Sequence, residues 1–384
     1  MDDIAAFLGR LAPPQTPVLV VRRTALRQNI AAMQVACDAA GVRLRAHGKM
    51  HKSTALAAMQ VAAGAVGVCC QTVGEAESYA GSGIADVLVT APVPPWGWPR
   101  LAAIRGATVA AVIDSAEQLA LAAPHGLTLY VDVDLGQHRA GVAPGAALAL
   151  AQAIAATPGA RFGGIQAYCG HHQHIADATA RRAANATATA TLRALVADCT
   201  AAGLPPPQVT GGGTGTYALD LAGGVFTEIQ AGSYALMDVD YGIAGAPEGD
   251  WPFQPALFLA ASIVSTRHVA LATCDAGLKA LYTDGPAPRV IAGAAPGSRW
   301  RSLGDEHGAI LHPAFLERLR ADPLGAIAAI DADSARPEDA PVEGSIVWLQ
   351  PGHVDPTMAL HSGFYLADED GALEHIAIDA RRIA

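Results

Sequence analysis

At residues 42–52 the chain reads Val-Arg-Leu-Arg-Ala-His-Gly-Lys-Met-His-Lys, a stretch in which apolar and basic residues alternate. Successive side chains of a β-strand point to opposite faces, so a strand here would separate the two kinds. If the apolar set packs against helices, the basic set points into a barrel; this set is Arg43, Arg45, His47, Lys49 and His51. Cations are costly there unless they serve a ligand at the mouth. An edge strand with one solvated basic face is the alternative.

Short β-branched runs alternate with alanine-rich stretches between about residues 24 and 250. This pattern is typical of parallel strands covered by helices. Eight such strands predict a closed (β/α)8 TIM barrel, an α/β fold, as the domain of residues 24–250. The eight candidates are residues 42–49, 65–70, 87–90, 108–113, 128–134, 163–168, 208–210 and 226–230.

The remaining chain predicts a smaller β-rich domain made of residues 1–23 and 251–384. The early run 17–22 is a ninth strand candidate that could join this domain, and a short helix is expected at 313–320. Residues 331–343 are acidic and contain proline, which is typical of an exposed loop. The other strand candidates are 256–264, 269–273, 289–292 and 345–349.

Charge and composition exclude several classes of protein. The 384 residues carry a net charge of −10, which offers no basic stripe for nucleic acid. We expect no membrane partner, because no apolar run reaches the ~18 residues that cross a bilayer and the N-terminus lacks a basic signal-peptide region. Six cysteines without a CxxC pair suit a reducing compartment, so the predicted localisation is cytoplasmic.

Lys49 is the last residue of the first strand candidate, at the end of the strand where barrel enzymes keep catalytic groups. The surrounding cations Arg45, His47 and His51 should disfavour its ammonium form and leave a neutral amine for a Schiff base. A carbonyl cofactor is therefore the natural hypothesis. Lys52 lies on the other face and is the weaker candidate.

A second candidate site is the run Val-Thr-Gly-Gly-Gly-Thr-Gly-Thr at residues 209–216. Backbone N–H groups and threonine hydroxyls after a strand can hold a phosphate. A plain glycine turn is the structural alternative. A dinucleotide motif built on Gly213, Gly215 and Ala218, with Asp238 beyond, is disfavoured because such motifs usually open the first βα unit.

Two further groups of residues are candidates for metal binding and for acid–base catalysis. His353 and Asp355 stand two residues apart, so in an extended segment both would face one side and could bind a divalent metal. A hydrogen-bonded pair in a loop is the alternative. His171, His172 and His174 follow the sixth strand candidate and could supply a general base, or form a surface loop.

Residues 45–52, Arg-Ala-His-Gly-Lys-Met-His-Lys, resemble the RPHxKTHK signature of the D-threonine aldolase and D-serine dehydratase family, with Ala46 and Met50 as departures. The resemblance implies a fold-type III pyridoxal 5'-phosphate enzyme, alanine-racemase-like, with an N-terminal barrel, a C-terminal β domain and usually a homodimer. Further matching stretches are residues 67–71, 132–142, 211–216, 275–281 and 353–357.

The resemblance also implies roles for single residues. Lys49 would bind the cofactor covalently, Arg139 would lie near its phenolate oxygen, and Gln230 would stand beside its pyridine nitrogen, where relatives often carry arginine. A neutral glutamine there would not repel a proton on that nitrogen. Tyr168 would lie next to Gln230. The phosphate cradle would be Gly212, Gly213, Thr214, Gly215 and Thr216.

The family resemblance assigns the reaction through the metal pair. Dehydratases of the family carry His-x-Cys and zinc, whereas its aldolases carry His-x-Asp with magnesium or manganese, and this chain has Asp355. The expected reaction is cleavage of a D-3-hydroxy amino acid to glycine and an aldehyde, with His171, His174 or metal-bound hydroxide as base. The leading hypothesis is 3-hydroxy-D-aspartate to glycine and glyoxylate. D-Threonine cleavage, β-elimination by the same site, and a non-catalytic cofactor carrier are the alternatives; such carriers lack a C-terminal domain.

Overall fold

The structure is a computed structural model that describes residues 2–321 and 323–381. The chain forms two compact units. The first contains residues 28–235, 243–253 and 378–381, and the second contains residues 2–27, 236–242 and 254–377. This division differs from the predicted one, because residues 24–27 and 236–242 belong to the β-rich unit and residues 251–253 and 378–381 belong to the barrel unit. No helix in the described part of the chain has the length and apolarity needed to span a membrane.

Strands and helices are numbered in chain order. The strands are β1 (Val18–Arg22), β2 (Arg43–His47), β3 (Gly67–Cys70), β4 (Asp86–Val89), β5 (Thr108–Ile113), β6 (Thr128–Asp132), β7 (Arg161–Ala167), β8 (Val209–Gly211), β9 (Glu228–Ile229), β10 (Leu257–Ser265), β11 (Leu271–Cys274), β12 (Arg289–Ala292), β13 (Arg299–Ser302), β14 (Gly308–Leu311), β15 (Ile346–Gln350), β16 (Gly363–Ala367) and β17 (Leu373–Ala377). The helices are α1 (Asp2–Leu8), α2 (Arg23–Ala40), α3 (Thr54–Ala62), α4 (Val73–Gly81), α5 (Gly97–Ala103), α6 (Ala116–Ala122), α7 (Pro144–Ala156), α8 (Ala178–Ala201), α9 (Tyr217–Ala222), α10 (Val239–Ala244), α11 (Leu316–Ala321), α12 (Pro323–Asp333) and α13 (Val354–Leu360).

Eight parallel strands of the described chain, β2 to β9, close into a barrel. Each strand pairs with its neighbour in sequence, and β9 returns to β2 with Glu228 opposite Arg43 and Ile229 opposite Leu44. Helices connect most of the strands, as parallel connections require. The predicted α/β barrel with a C-terminal β domain is confirmed, and the predicted eight strand positions all contain barrel strands.

The first barrel strand ends earlier than predicted, at His47, and the chain continues in a 3-10 turn, Gly48–Met50. The hydroxyl of Tyr79 donates a hydrogen bond of 2.8 Å to the carbonyl of Gly48. A Cβ atom at position 48 would lie 2.4 Å from that hydroxyl oxygen, so only glycine fits the turn. This turn carries Lys49.

The β-rich unit is built on a nine-stranded sheet among the described residues, in the order β11-β14-β13-β12-β15-β10-β1-β16-β17. Strand β1 pairs antiparallel with β10 and parallel with β16, so the early run does join this sheet. The unit contains more helix than predicted. Helix α12 extends to Asp333 and so covers the first three residues of the expected 331–343 loop, and α13 follows β15.

The interior of the barrel below its mouth holds a buried ion-pair cluster. Arg45, only 2% exposed, donates from Nε to Glu228 Oε1 at 2.8 Å and from Nη1 to Asp86 Oδ1 at 2.7 Å. Arg43, two residues earlier, is exposed. Arg45 and His47 therefore point inward as predicted, whereas the charge of Arg45 is balanced by two carboxylates.

Replacing Arg45 tests this cluster. In Arg45→Met, Glu228 and Asp86 lose their cation, and we expect the free energy of unfolding in urea to fall by about 3–5 kcal/mol. The matched control is Arg43→Met on the same strand, whose exposed side chain should change stability by no more than about 0.5 kcal/mol. Equal losses in the two variants would refute the role of the buried pair.

Candidate active site

Lys49 lies at the carboxyl end of β2, where the barrel opens. Its backbone N–H donates to Nδ1 of His47 at 3.4 Å, and its Nζ lies 5.9 Å from the centre of the Tyr168 ring. Tyr168 follows β7 directly and also faces Arg139, whose guanidinium carbon lies 5.7 Å from the same ring centre. The structure therefore brings together three of the residues predicted for the cofactor site.

The chain contains three lysines, and two of them are paired with glutamates. Lys52 forms an ion pair with the fully buried Glu75, and Lys279 forms one with Glu306. Lys49 makes no ion pair within the described residues, and its side chain is half-buried. The amine available for a covalent bond at the mouth is therefore that of Lys49.

The predicted crowding of Lys49 by cations is wrong in its details. The cation of Arg45 is neutralised by carboxylates deeper in the barrel. His51 is fully buried and turns towards α3, where its ring nitrogens meet Gln60 and the N–H of Ser53. Burial, aided by the positive charge of Lys49, lowers the pKa of His47 well below its usual range, so His47 is neutral.

The loop after β6 positions Arg139. The carboxylate of Asp134 accepts hydrogen bonds from the backbone N–H groups of Gly136 and His138, at 2.9 and 3.0 Å. His138 takes a positive φ of 55°, which turns the chain sharply before Arg139. The arginine is exposed at this end of the barrel.

The glycine run forms a tight turn after β8. A Cβ atom on Gly213 or Gly215 would lie 2.5 or 2.0 Å from Gln173, so close packing against this residue explains two of the glycines. The hydroxyls of Thr214 and Thr216 are buried and bonded to Tyr234 N–H and to the Asp220 carboxyl. These contacts support part of the plain-turn alternative.

The same turn also fits a phosphate. The backbone N–H groups of Gly212 and Thr214 donate to no other group in the described ranges 2–321 and 323–381. Two unpaired N–H groups after a parallel strand are typical of an anion site. Asp238, the acid of the dinucleotide alternative, is instead buried in the β-rich unit, where it accepts from Tyr241 and Val354 N–H.

The three histidines after β7 differ in environment. His171 and His174 are exposed, whereas His172 is 5% exposed and packs against His171 with ring centres 4.1 Å apart. Burial lowers the pKa of His172 to about 4, so this imidazole stays neutral. His171 and His174 stay predictions as general bases.

Several polar residues of the mouth were missed from the sequence. Asp132, Gln166, Thr90 and Gln71 are hydrogen-bonded inside the upper part of the barrel. The period-2 rule that placed Arg45 and His47 could have found Asp132, because it follows the buried Tyr130 by two residues on β6. Burial raises the pKa of Asp132 to about 6, although the hydrogen bond from Gln166 lowers it.

The proposed metal pair lies in the β-rich unit. His353 has extended backbone and precedes α13, while Asp355 lies in the first turn of that helix, so the expected extended segment is wrong. Their neighbour Asp238 is 1% exposed, and burial raises its pKa to about 7. Imidazole and carboxylate suit a divalent ion, but no three or more His, Cys, Asp or Glu side chains within the described chain are grouped to hold one.

The barrel, the mostly antiparallel unit and the lysine at the mouth define a protein of the alanine racemase class. Residues 21–239 match the alanine racemase N-terminal domain, and residues 256–367 match a putative serine dehydratase domain. The chain belongs to the D-threonine aldolase and D-serine dehydratase-like family of fold-type III proteins, whose cofactor is pyridoxal phosphate.

Proteins of assigned activity resemble the chain over most of its length. It is 37% identical to 3-hydroxy-D-aspartate aldolase from Paracoccus denitrificans (strain Pd 1222), covering 94% of this chain and 90% of that one. It is 35% identical to D-threonine aldolase from Arthrobacter sp, covering 95% and 92%. The solved D-threonine aldolase from Filomicrobium marinum is 32% identical, with a TM-score of 0.85 over 96% of this chain and 95% of that one.

The raised pKa of Asp132 predicts a pH dependence of stability. A carboxyl whose pKa rises from 3.8 to about 6 on folding holds its proton more tightly when folded, so stability falls as the pH rises through that window. Relative to Asp132→Asn, which keeps the acceptor for Gln166, the wild-type protein should lose about 3 kcal/mol across it. Urea denaturation at stepped pH measures this difference, and a difference independent of pH would contradict the prediction.

Proposed function

We propose that this enzyme cleaves the Cα–Cβ bond of D-3-hydroxy amino acids, releasing glycine and an aldehyde. Its enzyme class, a carbon–carbon lyase acting on such compounds, is supported by curated relatives that are aldolases. The finer proposal is that 3-hydroxy-D-aspartate is the substrate and glyoxylate the aldehyde. The observation that carries the proposal is Lys49, which forms no ion pair with any residue that the structure describes and lies at the mouth beside Tyr168 and Arg139.

When bound, pyridoxal phosphate takes up the electron pair that the breaking bond releases. Lys49 would hold this cofactor through its side-chain amine. The turn of Gly212, Gly213, Thr214, Gly215 and Thr216 would hold its phosphate. The donors would be the unpaired backbone N–H groups of Gly212 and Thr214, since the threonine hydroxyls and the N–H groups of Gly215 and Thr216 already have protein partners. Arg139 would bind its phenolate oxygen, and Tyr168 and Gln230 would bind its ring.

The substrate hydroxyl must lose a proton for the bond to break. A neutral alcohol is a weak acid, and a divalent ion lowers the pKa of a coordinated hydroxyl by several units. We propose that His353 and Asp355 hold such an ion, magnesium or manganese, because a hard carboxylate suits these ions better than a thiolate. His171 or His174 accepts the proton.

The relatives support the choice of substrate. The barrel interior limits which residue could bind its β-carboxylate. A β-carboxylate needs a cation, and Arg45 is excluded because it is buried and paired with Glu228 and Asp86. D-Threonine is the second candidate, because D-threonine aldolases match almost the whole chain. We also propose that the protein is a cytoplasmic homodimer.

Product analysis tests the reaction. Purified enzyme given D-3-hydroxyaspartate should release glycine and glyoxylate in equal amounts, and with D-threonine it should release glycine and acetaldehyde at a lower kcat/KM. Ammonia with a keto acid would instead show β-elimination by the same site. A higher kcat/KM for D-threonine would reject the substrate proposal while retaining the reaction.

The metal proposal has a separate test. His353→Ala and Asp355→Ala should each lower kcat by a factor on the order of 10²–10⁴, equivalent to the several kcal/mol that a bound ion contributes. Chelation should have the same effect on the wild-type enzyme, and added manganese should reverse it. His307→Ala, which removes an exposed imidazole from the same unit, is the control. Full activity in chelator would overturn the proposal.

A further inference from the structure

Gln230 is held at the barrel mouth by two hydrogen bonds that both use its amide nitrogen. The side chain is 4% exposed, and Nε2 lies 3.1 Å from Gln166 Oε1 and 3.0 Å from Thr210 Oγ1. The oxygen and nitrogen of a glutamine amide can exchange places by a half-turn, so its orientation must be argued from its partners. Each partner is hydrogen-bonded in turn to a group that can only accept, and this fixes the direction of every bond.

The first partner chain runs through Gln166. Its Nε2 lies 3.1 Å from the backbone carbonyl oxygen of Thr90 and 3.0 Å from Asp132 Oδ1. A carbonyl oxygen can only accept, whatever the protonation of the neighbouring acid. The amide nitrogen of Gln166 must therefore face Thr90, and its oxygen must face Gln230.

The second chain runs through Thr210. Its hydroxyl lies 3.0 Å from Glu228 Oε1, the oxygen that also accepts from Nε of Arg45. A hydroxyl has one proton to donate, and here that proton goes to the ion-paired carboxylate. The Thr210 oxygen is then left to accept from Gln230.

Both neighbours of Gln230 are therefore acceptors, and both N–H bonds of its amide are used. Its amide oxygen lies on the other side of the amide carbon and accepts no hydrogen bond within residues 2–321 and 323–381. Reversing the amide would set its oxygen against two oxygen atoms without a hydrogen between them. The buried ion pair of Arg45 and Glu228 thus fixes the orientation of the Gln230 amide through the hydroxyl of Thr210.

We infer that Gln230 presents an amide oxygen to the cofactor, and that the enzyme consequently binds the ring nitrogen of pyridoxal phosphate in its protonated form. An acceptor stabilises an N–H group, whereas an arginine in this place could only donate and would exclude the proton. Gln166 and Thr210 are then positioning residues, because they act through Gln230. The inference rests on the proposed place of Gln230 beside the cofactor ring.

Neutron diffraction from deuterated crystals of the cofactor-free protein tests the amide orientation alone. The two amide deuterons of Gln230 should point at Gln166 Oε1 and Thr210 Oγ1. Deuterons on the side facing the mouth would overturn the inference. This result is independent of whether the protein binds pyridoxal phosphate or catalyses any reaction.

Nitrogen-15 NMR of the holoenzyme with ring-labelled pyridoxal phosphate tests the consequence. At mildly alkaline pH, where the ring nitrogen of the free cofactor has lost its proton, the bound nitrogen should resonate in the protonated range. Gln230→Leu should shift it to the unprotonated range, and Gln166→Leu should shift it part of the way because Gln230 can then rotate. Gln152→Leu on the exposed face of α7 is the matched control and should cause no shift.

The outcomes separate the two proposals. An unprotonated nitrogen in the wild-type holoenzyme, or a protonated one that persists in Gln230→Leu, overturns the inference and leaves the aldolase proposal intact. If the protein takes up no cofactor, the proposed function is wrong, and the neutron result then decides the amide orientation by itself.

Discussion

Closure of the barrel between β2 and β9 is the constraint on which the site depends. The ladder is short, with two residue pairs, and a buried cluster beneath the mouth reinforces it: Arg45 on β2 bonds to Glu228 on β9 and to Asp86 on β4. Because the strands are parallel, everything that follows their carboxyl ends meets at one opening. Closure therefore gathers the Lys49 turn, the glycine turn after β8 and Gln230 after β9 at the same mouth.

Charge inside the barrel is arranged in layers. The lower layer contains Arg45, which is paired with the buried Glu228 and with the partly exposed Asp86, while Oε2 of Glu228 has no hydrogen-bond partner within the described residues. The upper layer contains amides and hydroxyls, among them Gln166 and Thr210, together with the carboxyl of Asp132. The hydrogen bonds of Gln166 and Thr210 orient the amide of Gln230. Lys49, the only lysine without a carboxylate partner in the described chain, lies at the mouth above this layer, where its amine can react with a carbonyl.

The count of eight strand candidates predicted the barrel, and the alternation of side chains along 42–52 predicted that Arg45 and His47 point inward if the apolar face packs against helices, because strand parity is a local property. The signature at residues 45–52 indicated the family, because it too is a local run of sequence. The predicted position of His51 was wrong because the strand ends before Gly48, and the parity of a strand does not continue through a 3-10 turn. The partners of Arg45 could not be predicted either, since Asp86 and Glu228 lie far away in sequence and meet it only after closure. The helix at Val354–Leu360 likewise overrides the extended pattern expected for His353 and Asp355.

The central claim is that Lys49 carries the cofactor. The sequence holds only Lys49, Lys52 and Lys279 as side-chain amines, so reduction of the holoenzyme with borohydride followed by peptide mapping gives an unambiguous answer. We expect one pyridoxyl group per chain, on Lys49, and its loss in Lys49→Arg but not in Lys52→Arg. A label on Lys52 or Lys279, or protein that acquires none, would contradict the account.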